Sequence, residues 1–518
     1  MPSLSNHTPK QPERQSAIPI KKYASFITHM SLKKEIGRAN MIFSIGKVAS
    51  AAVAFFLNIY LAKLLQPYEF GLYSFAMVII GAAALFTDFG INNILFKFGS
   101  EERYQKDRPL LKSLISLTFK YKLILLLLVC GALALFPGKI ALFFGKSQVT
   151  EVIVLSSIIL FATTISEYLF SMFLMMKSFK NQSVFRIVEQ LLKAAMILVF
   201  LLLGFKAYGA LIGNAASYIL LALIMGYSTL KSYPKIFESG TKALDYSKLR
   251  AFGVWSTTGV IIGTIYGMTD KLLISKMLPV ENVGFYQLAY SWVFAIIYLV
   301  PMSYQVMFVY YSNSNASKEK LTKMLSDSIK YTGLLSFPFS FLLSAFSGAF
   351  IIFLYGTSYL PAAGALKVLS LTVSPMLFAA FFLNYFISIN KPEIQTKVFI
   401  PLTIILFILD LVLIPTYGIV GAAYGMLFIK ILEMLIFSYL LFFKEKIRLP
   451  LDIVWKPMLA SFIVYVLLDF ALPQVFREIT LVHFIISGGI AILMYFSLML
   501  LLKGITKEEI RQIISVIR

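Results

Sequence analysis

Leu61-Ala62-Lys63-Leu64-Leu65 runs on to Gly71-Leu72-Tyr73, and Ile274-Ser275-Lys276-Met277-Leu278 runs on to Gly284-Phe285-Tyr286. Lys63 and Lys276, Leu65 and Leu278, Gly71 and Gly284, Tyr73 and Tyr286, and Ala76 and Ala289 all match at one constant offset. In each copy the phrase joins the end of one long apolar run to the start of the next. A hairpin repeated inside such a chain implies two related halves facing each other across a shared cavity.

Composition sets the environment. Hydrophobic residues make up 59% of the 518 and charged residues only 14%, too little polar surface for a soluble protein of this length. The class is therefore an all-α polytopic membrane protein. Apolar runs able to cross a hydrocarbon core roughly 30 Å thick recur along the chain, and about fourteen are expected. They fall near 40–64, 70–97, 117–136, 150–176, 184–204, 208–230, 252–277, 284–311, 330–347, 363–388, 397–415, 418–443, 455–472 and 481–502. Ile140–Phe144 and Ala349–Leu354 read as interfacial or re-entrant pieces. No hydrophobic segment precedes residue 40, so the first span is expected to direct insertion. A single cysteine, Cys130, excludes an intrachain disulfide, and His7, His29 and His483 are too scattered for a histidine metal site.

The net charge of +22 is distributed by topology. Lysine and arginine crowd the N-terminal tail, the connections holding Arg103, Lys177, Lys242, Lys320 and Lys446, and the C-terminal tail. The alternate connections, Gln66–Glu69, Pro279–Val283 and Pro415–Gly418, are short and poor in both. This pattern places both termini in the cytoplasm, in a multi-pass protein of the plasma (inner) membrane, and argues against a nucleic-acid partner. An even number of spans separates the two phrases, so the halves are parallel and related by an axis along the membrane normal. The expected divisions are a basic tail 1–39, an N-terminal lobe 40–230, a cytoplasmic linker 231–251, a C-terminal lobe 252–443, two added spans in 444–502 and a tail 503–518. The expected fold is two six-helix lobes around a central cleft plus two C-terminal helices. Short outer loops leave no room for an outer catalytic domain, and no paired carboxylates mark a membrane surface, so no enzymatic activity is expected.

Asp270-Lys271-Leu272-Leu273-Ile274-Ser275, with Leu278-Pro279 and Val283-Gly284-Phe285-Tyr286, resembles the seventh-span signature of the polysaccharide flippases. These form the polysaccharide transporter family of the multidrug/oligosaccharidyl-lipid/polysaccharide exporter superfamily. Leu65, Pro67, Phe70, Gly71 and Tyr73 repeat that resemblance in the first half. Thr87-Asp88-Phe89-Gly90-Ile91 and Lys97 are similar to the family's second-span exit, where arginine is commoner than lysine. Leu413-Ile414-Pro415-Thr416-Tyr417-Gly418 through Ala423 is similar to its eleventh-to-twelfth-span turn, with Tyr208-Gly209-Ala210 as a weaker partner. Asp410 departs from the family, which usually has asparagine there. The resemblance covers roughly residues 40 to 445. It implies export of an oligosaccharide on a polyprenyl-diphosphate carrier from the inner to the outer leaflet by alternating access. Membrane lipids would be contacts, and a glycan polymerase and export machinery further partners. No cofactor is implied beyond coupling to sodium or protons.

Charges inside a bilayer cost roughly 2.5 to 3.5 kcal/mol each on insertion scales, so they mark candidate function. Lys193 lies mid-span, with Glu189 and Arg186 preceding it on the same helical face. Either this stripe lines the cleft and Lys193 or Arg186 engages phosphate, or Glu189 and Lys193 neutralise each other while Arg186 reaches the interface. Lys47 and Asp88 lie at similar depth on neighbouring spans. They form an ion pair, or Lys47 snorkels and Asp88 caps a helix break before Gly90. Asp270 and Lys271 point about 100° apart and serve as gate or substrate contact. Glu167, without a sequence-local partner, is a coupling site or a satisfied buried carboxyl. Lys430 and Glu433 are spaced to pair, and Asp410 and Asp469 are expected to be wetted. The substrate-binding candidates are thus Lys47, Arg186, Lys193 and Lys271, and the coupling or gating candidates Asp88, Glu167, Glu189 and Asp270. An ion-coupled exporter of small cationic molecules, with an acidic cavity, is the alternative, and a membrane glycan polymerase or glycosyltransferase a more distant one.

Overall fold

A computed structural model describes residues 20–237, 240–299, 318–389, 391–447, 449–450, 452–475 and 481–504. Its first half contains α1 (Ile20–Asp88), α2 (Ile91–Gly99), α3 (Glu102–Lys106), α4 (Arg108–Leu135), α5 (Pro137–Phe143), α6 (Thr150–Met175), α7 (Phe179–Leu202), α8 (Lys206–Ser232) and α9 (Pro234–Phe237). The second half contains α10 (Tyr246–Met277), α11 (Val280–Leu299), α12 (Lys318–Ala345), α13 (Ser347–Tyr355), α14 (Ala362–Ser370), α15 (Val373–Ser388) and α16 (Glu393–Tyr439). Two more helices, α17 (Asp452–Val475) and α18 (Leu481–Leu501), follow. No strand occurs among the described residues. In a bilayer this is the natural result, because a helix satisfies its own backbone hydrogen bonds.

Two of the helices are each a pair joined at a kink. In α1 the break is Gln66, at φ 61°, followed by Pro67, whose fixed φ and missing N–H suit the start of the next helix. In α16 the break is Gly418, at φ 59°, where a residue without Cβ meets no steric penalty. The apolar stretches Val48–Asp88 and Glu393–Lys444 hold 41 and 52 residues. At about 1.5 Å per residue each is roughly twice the thickness of a hydrocarbon core, so each carries two crossings. Among the described residues, seven helices are long and apolar enough to span a membrane, and nine if each bent pair, α12 with α13 (72°) and α14 with α15 (43°), counts as one span. The fourteen expected spans exceed this number partly because of those kinks. In addition, α7 and α10 are long enough but more polar: α7 alone carries Lys180, Arg186, Glu189 and Lys193. The apolar α11 ends where the described residues end. The expected fragments at 140–144 and 349–354 fall on the short helices α5 and α13.

In the first half α6, α7 and α8 pack on one another and on α1; in the second, α16 packs on α10 and α15, and α17 lies against α12. The halves meet where α1 and α2 face α10 and α11. One buried apolar core, including Leu61, Phe70, Phe75, Ile274, Tyr286 and Ala423, runs through that contact. Side chains such as Leu128, Leu202 and Leu493 clothe the outside, as a lipid-facing surface requires.

The two copies of the repeated phrase pack on each other. A Cβ on Gly71 would stand 2.5 Å from the Val280 carbonyl oxygen, and one on Gly284 would stand 3.1 Å from Gly71 Cα. At this hairpin end the Tyr359 hydroxyl donates to the Ala62 carbonyl at 2.6 Å, and the buried Lys146 ammonium donates to the Ser275 carbonyl. Deeper in the contact Gly81 faces Met268, and the Thr257 hydroxyl donates to the Phe89 carbonyl.

Candidate functional site

The second crossing breaks at Phe89 and Gly90, with φ values of 38° and 71°. A phenylalanine at positive φ is uncommon, and such strain concentrates at functional positions. The helix break foreseen before Gly90 is present, but Asp88 does not cap it: α2 starts from Gly90 without a side-chain cap. The Asp88 carboxylate is held by the Lys122 ammonium of α4, which also donates to Asn92 Oδ1 at 3.2 Å. Lys122 is almost fully buried. It was not a sequence candidate because its span was drawn from residue 117, only about 8 Å away at 1.5 Å per residue. The helix starts at Arg108, which puts Lys122 roughly 21 Å along it and level with Asp88. The Lys47 side chain lies outside the described residues, so its expected pairing with Asp88 does too.

A second network ties α6, α7 and α8 together. Arg186 grips Glu167 with two parallel bonds, Nη1 to Oε1 at 2.7 Å and Nη2 to Oε2 at 2.8 Å, and reaches Glu189 at 3.1 Å. Its guanidinium lies 3.7 Å from the centroid of Phe170. Glu189 also accepts from the Tyr218 hydroxyl at 2.8 Å and from Gln190 at 3.3 Å. This corrects the expectation that Arg186 meets substrate phosphate, since its fork is occupied, whereas for Glu167 it matches the reading of a satisfied carboxyl, with the partner supplied by another helix. Nor do Glu189 and Lys193 form the anticipated pair. A planar guanidinium between two carboxylates makes charge-assisted bidentate bonds, which outcompete a single ammonium contact. The Lys193 ammonium instead lies 6.0 Å from the centroid of the Tyr218 ring.

Between these two networks lies a cavity of about 320 Å³. Its walls include Thr87, Asp88, Lys122, Glu167, Lys193 and Asn214, with Tyr218 beside them, from α1, α4, α6, α7 and α8. All its lining residues belong to the first half. Of its ionised groups, Asp88 pairs with Lys122, while Glu167 shares the single charge of Arg186 with Glu189. With Lys193 included, the positive and negative charges around the cavity balance.

The remaining candidates stand elsewhere. Asp270 is fully buried and accepts from the Tyr286 hydroxyl at 2.6 Å, while the Lys271 ammonium lies 3.8 Å from the centroid of Tyr290. Tyr286 is the repeat mate of Tyr73, whose hydroxyl accepts from Asn214 at 3.3 Å. Lys430 and Glu433 do pair, at 2.8 Å, and the Tyr266 hydroxyl donates to Glu433 at 2.6 Å. Asp469 is partly exposed and pairs with Lys367 at 2.8 Å. Asp410 contradicts the expectation of a wetted carboxyl: it is fully buried, and neither oxygen has a partner. The reason is position, since Asp410 faces the close-packed Gly425 of the helix that returns after Gly418.

Polar groups enclosed by membrane-crossing helices, in a chain whose hairpin phrase packs on its own repeat, define a multi-pass protein of the transporter type. The profile described as "Polysaccharide biosynthesis protein" matches residues 60–364, and the chain belongs to that family. An uncharacterized membrane protein of Methanocaldococcus jannaschii is 23% identical over 402 residues, 72% of this chain and 77% of that one. Among solved structures, the lipid II flippase MurJ in an inward closed conformation matches with a TM-score of 0.72 at 18% identity. That match covers 88% of this chain and 98% of that one. An inward-facing multidrug resistance transporter of the MATE family matches with a TM-score of 0.53 at 13% identity, covering 83% and 96%. A MATE transporter of Vibrio cholerae gives 0.53 at 12%, covering 80% and 97%. At these identities the likeness establishes a shared fold.

Proposed function

We propose that this protein is a flippase that carries polyprenyl-diphosphate-linked oligosaccharide units from the cytoplasmic to the outer leaflet for surface polysaccharide synthesis. The observation that carries the reading is the hydroxyl- and charge-lined cavity of about 320 Å³ inside an otherwise apolar helix bundle. Such a space gives a hydrated headgroup a polar path that hydrocarbon denies it. Membership of the polysaccharide biosynthesis family supports a glycan as cargo, and the fold shared with a lipid II flippase supports a lipid-linked one. In this reading the chain sits in the plasma (inner) membrane with both termini cytoplasmic. The lobes rock about their shared contact, and a glycan polymerase and export machinery take the product. Of the coupling candidates, Asp88, Glu167 and Glu189 are bound to cations, which leaves the buried Asp270 for a gradient ion or a gate.

Export of small cations is less well supported, because the family to which the chain belongs is one of polysaccharide biosynthesis. Deleting the gene and identifying lipid-linked glycans by leaflet tests the proposal. The expected result is accumulation of one lipid-linked oligosaccharide on the cytoplasmic side. An unchanged glycan profile in the deletion strain would overturn it.

A further inference from the structure

The start of α10 belongs to the second half by sequence and to the first half by contact. Just ahead of it, the Lys242 backbone N–H donates to Ser113 Oγ at 2.8 Å, and the Lys242 ammonium donates to Asp107 at 2.6 Å. Leu244 and Leu249 are buried in one apolar cluster with Leu95, Leu110 and Leu114. The Phe252 ring stands 5.6 Å from that of Phe98, centroid to centroid, and 3.9 Å from the Lys97 ammonium. A Cβ on Gly253 would lie 3.0 Å from Ile94, and the Thr257 hydroxyl donates to the carbonyl of Phe89. Every one of these partners is in the first half. From Ile262 onward the partners change. Ile262 packs on the core of the second half, and Tyr266 lies 4.8 Å from the Phe399 ring and donates to Glu433 at 2.6 Å. Between the two sets of contacts stand Gly259 and Gly263. Four residues apart, they share a helical face, and nothing lies within 4 Å of a carbon added to either. Glycine weakens a helix interior relative to alanine, and membrane helices ordinarily use it for close packing. Neither glycine has a neighbour to pack against.

We propose that α10 is divided between the moving bodies: residues 246–257 travel with the first half, and the helix bends between Gly259 and Gly263 when the halves rock. The inference rests on the flippase reading for the rocking and adds where the moving parts divide. That place is inside a transmembrane helix, beyond the linker at which the charge pattern sets the boundary. A hinge needs a few residues that absorb the change in φ and ψ, with rigid attachments on either side. The two glycines supply the first, and the contacts of Leu249, Phe252 and Thr257 on one side and of Tyr266 on the other supply the second. The strained turn at Phe89 and Gly90 has a part in this, because it presents the carbonyl that holds Thr257.

The test uses the full-length protein on a Cys130→Ser background. In nanodiscs, a spin label at Lys248→Cys is paired with one at Glu102→Cys in the first half or at Lys323→Cys in the second, all exposed positions. Gly71→Val, which forces the outer hairpins apart, should change the distance between positions 248 and 323 by several ångströms and leave that between 248 and 102 as it was. The reverse pattern would make the start of α10 an ordinary part of the second half and overturn the proposal. In cells, Ile94→Cys with Gly253→Cys can be bridged by a short bifunctional methanethiosulfonate reagent. Bridging should leave glycan export near normal, because it ties parts that move together. Loss of export on bridging, with recovery on reduction, would overturn the proposal. Gly259→Ala with Gly263→Ala should raise the melting temperature, since alanine is the better helix former and its methyl groups meet open space. The same variant should slow export several-fold, a combination that a purely structural role for the glycines would not produce. Export at the unmodified rate in that variant would overturn the hinge. The distance measurements need no cargo, so the hinge can fail on them while the flippase stands. Unchanged glycans after deletion of the gene would instead sink the flippase reading.

Discussion

At the scale of single residues, intramembrane charge divides into groups that are paired and groups that are not. Arg186 ties Glu167 of α6 to Glu189 of its own helix. Arg186→Gln should lower unfolding free energy by about 2 kcal/mol, at the low end for a broken buried pair because Glu167 is half exposed. Denaturation in detergent measures this, and a variant with unchanged stability would return Arg186 to the list of substrate contacts. Asp410 predicts the opposite sign. A fully buried carboxyl without a hydrogen-bond donor is a liability, so Asp410→Asn should raise the melting temperature by several degrees. An unchanged or lowered melting temperature would contradict this. The sequence located these charges but not their partners. Spacing reports neighbours on one helix, as it did for Lys430 and Glu433. It is blind to a residue such as Glu167 or Lys122, which another helix delivers and whose depth depends on where that helix starts.

At the scale of elements, the repeated phrase is a contact as well as a duplication. Gly71 permits backbone-to-backbone approach at the hairpin end, so Gly71→Val should force that end apart. Spin labels placed by Lys63→Cys and Ser358→Cys, both exposed positions, on a Cys130→Ser background would report a distance longer by several ångströms. The same labels with Gly131→Val, where nothing lies within 4 Å of the added carbon, should report no change. Lys146 makes this end pH-sensitive. Burial first, and then the like charge of Lys276, hold its pKa below the ordinary 10.5. When the end opens, the ammonium is hydrated and binds its proton more tightly. Raising the pH through the lowered pKa towards 10.5 should therefore favour closure, and Lys146→Met should flatten that dependence in the same labelled pair. A closed fraction that falls with rising pH would refute it. The hairpins were visible in the sequence from Pro67 and Gly418. The break before Gly90 was legible too, whereas the bend between α14 and α15 was not, because tertiary packing stabilises backbone that local propensity would not choose.

At the scale of the whole molecule, duplication was legible and its loss of symmetry only partly so. Tyr73 and Tyr286 keep one identity but hold different partners, neutral Asn214 in one half and anionic Asp270 in the other. The halves have accordingly diverged in their polar groups, although each buries carboxyl groups, Glu189 in the first and Asp270, Asp410 and Glu433 in the second. A sequence repeat predicts a shared frame, whereas the location of empty space depends on side-chain volumes drawn from several helices at once. If transport proceeds by rocking of the lobes, locking them at the hairpin end must stop it. The Tyr359 side chain reaches Ala62 across the halves, so Tyr359→Cys with Ala62→Cys, on a Cys130→Ser background, can be bridged by a bifunctional methanethiosulfonate reagent that spans the length of the lost tyrosine. Bridging should abolish glycan export, and reduction should restore it. Glu69 and Ala207 touch within the first half, at 3.1 Å between carboxylate and amide. The matching cross-link from Glu69→Cys and Ala207→Cys should leave export near normal, because parts that move as one body lose nothing by being tied. Full export by the protein bridged between positions 359 and 62 would rule out rocking about this contact.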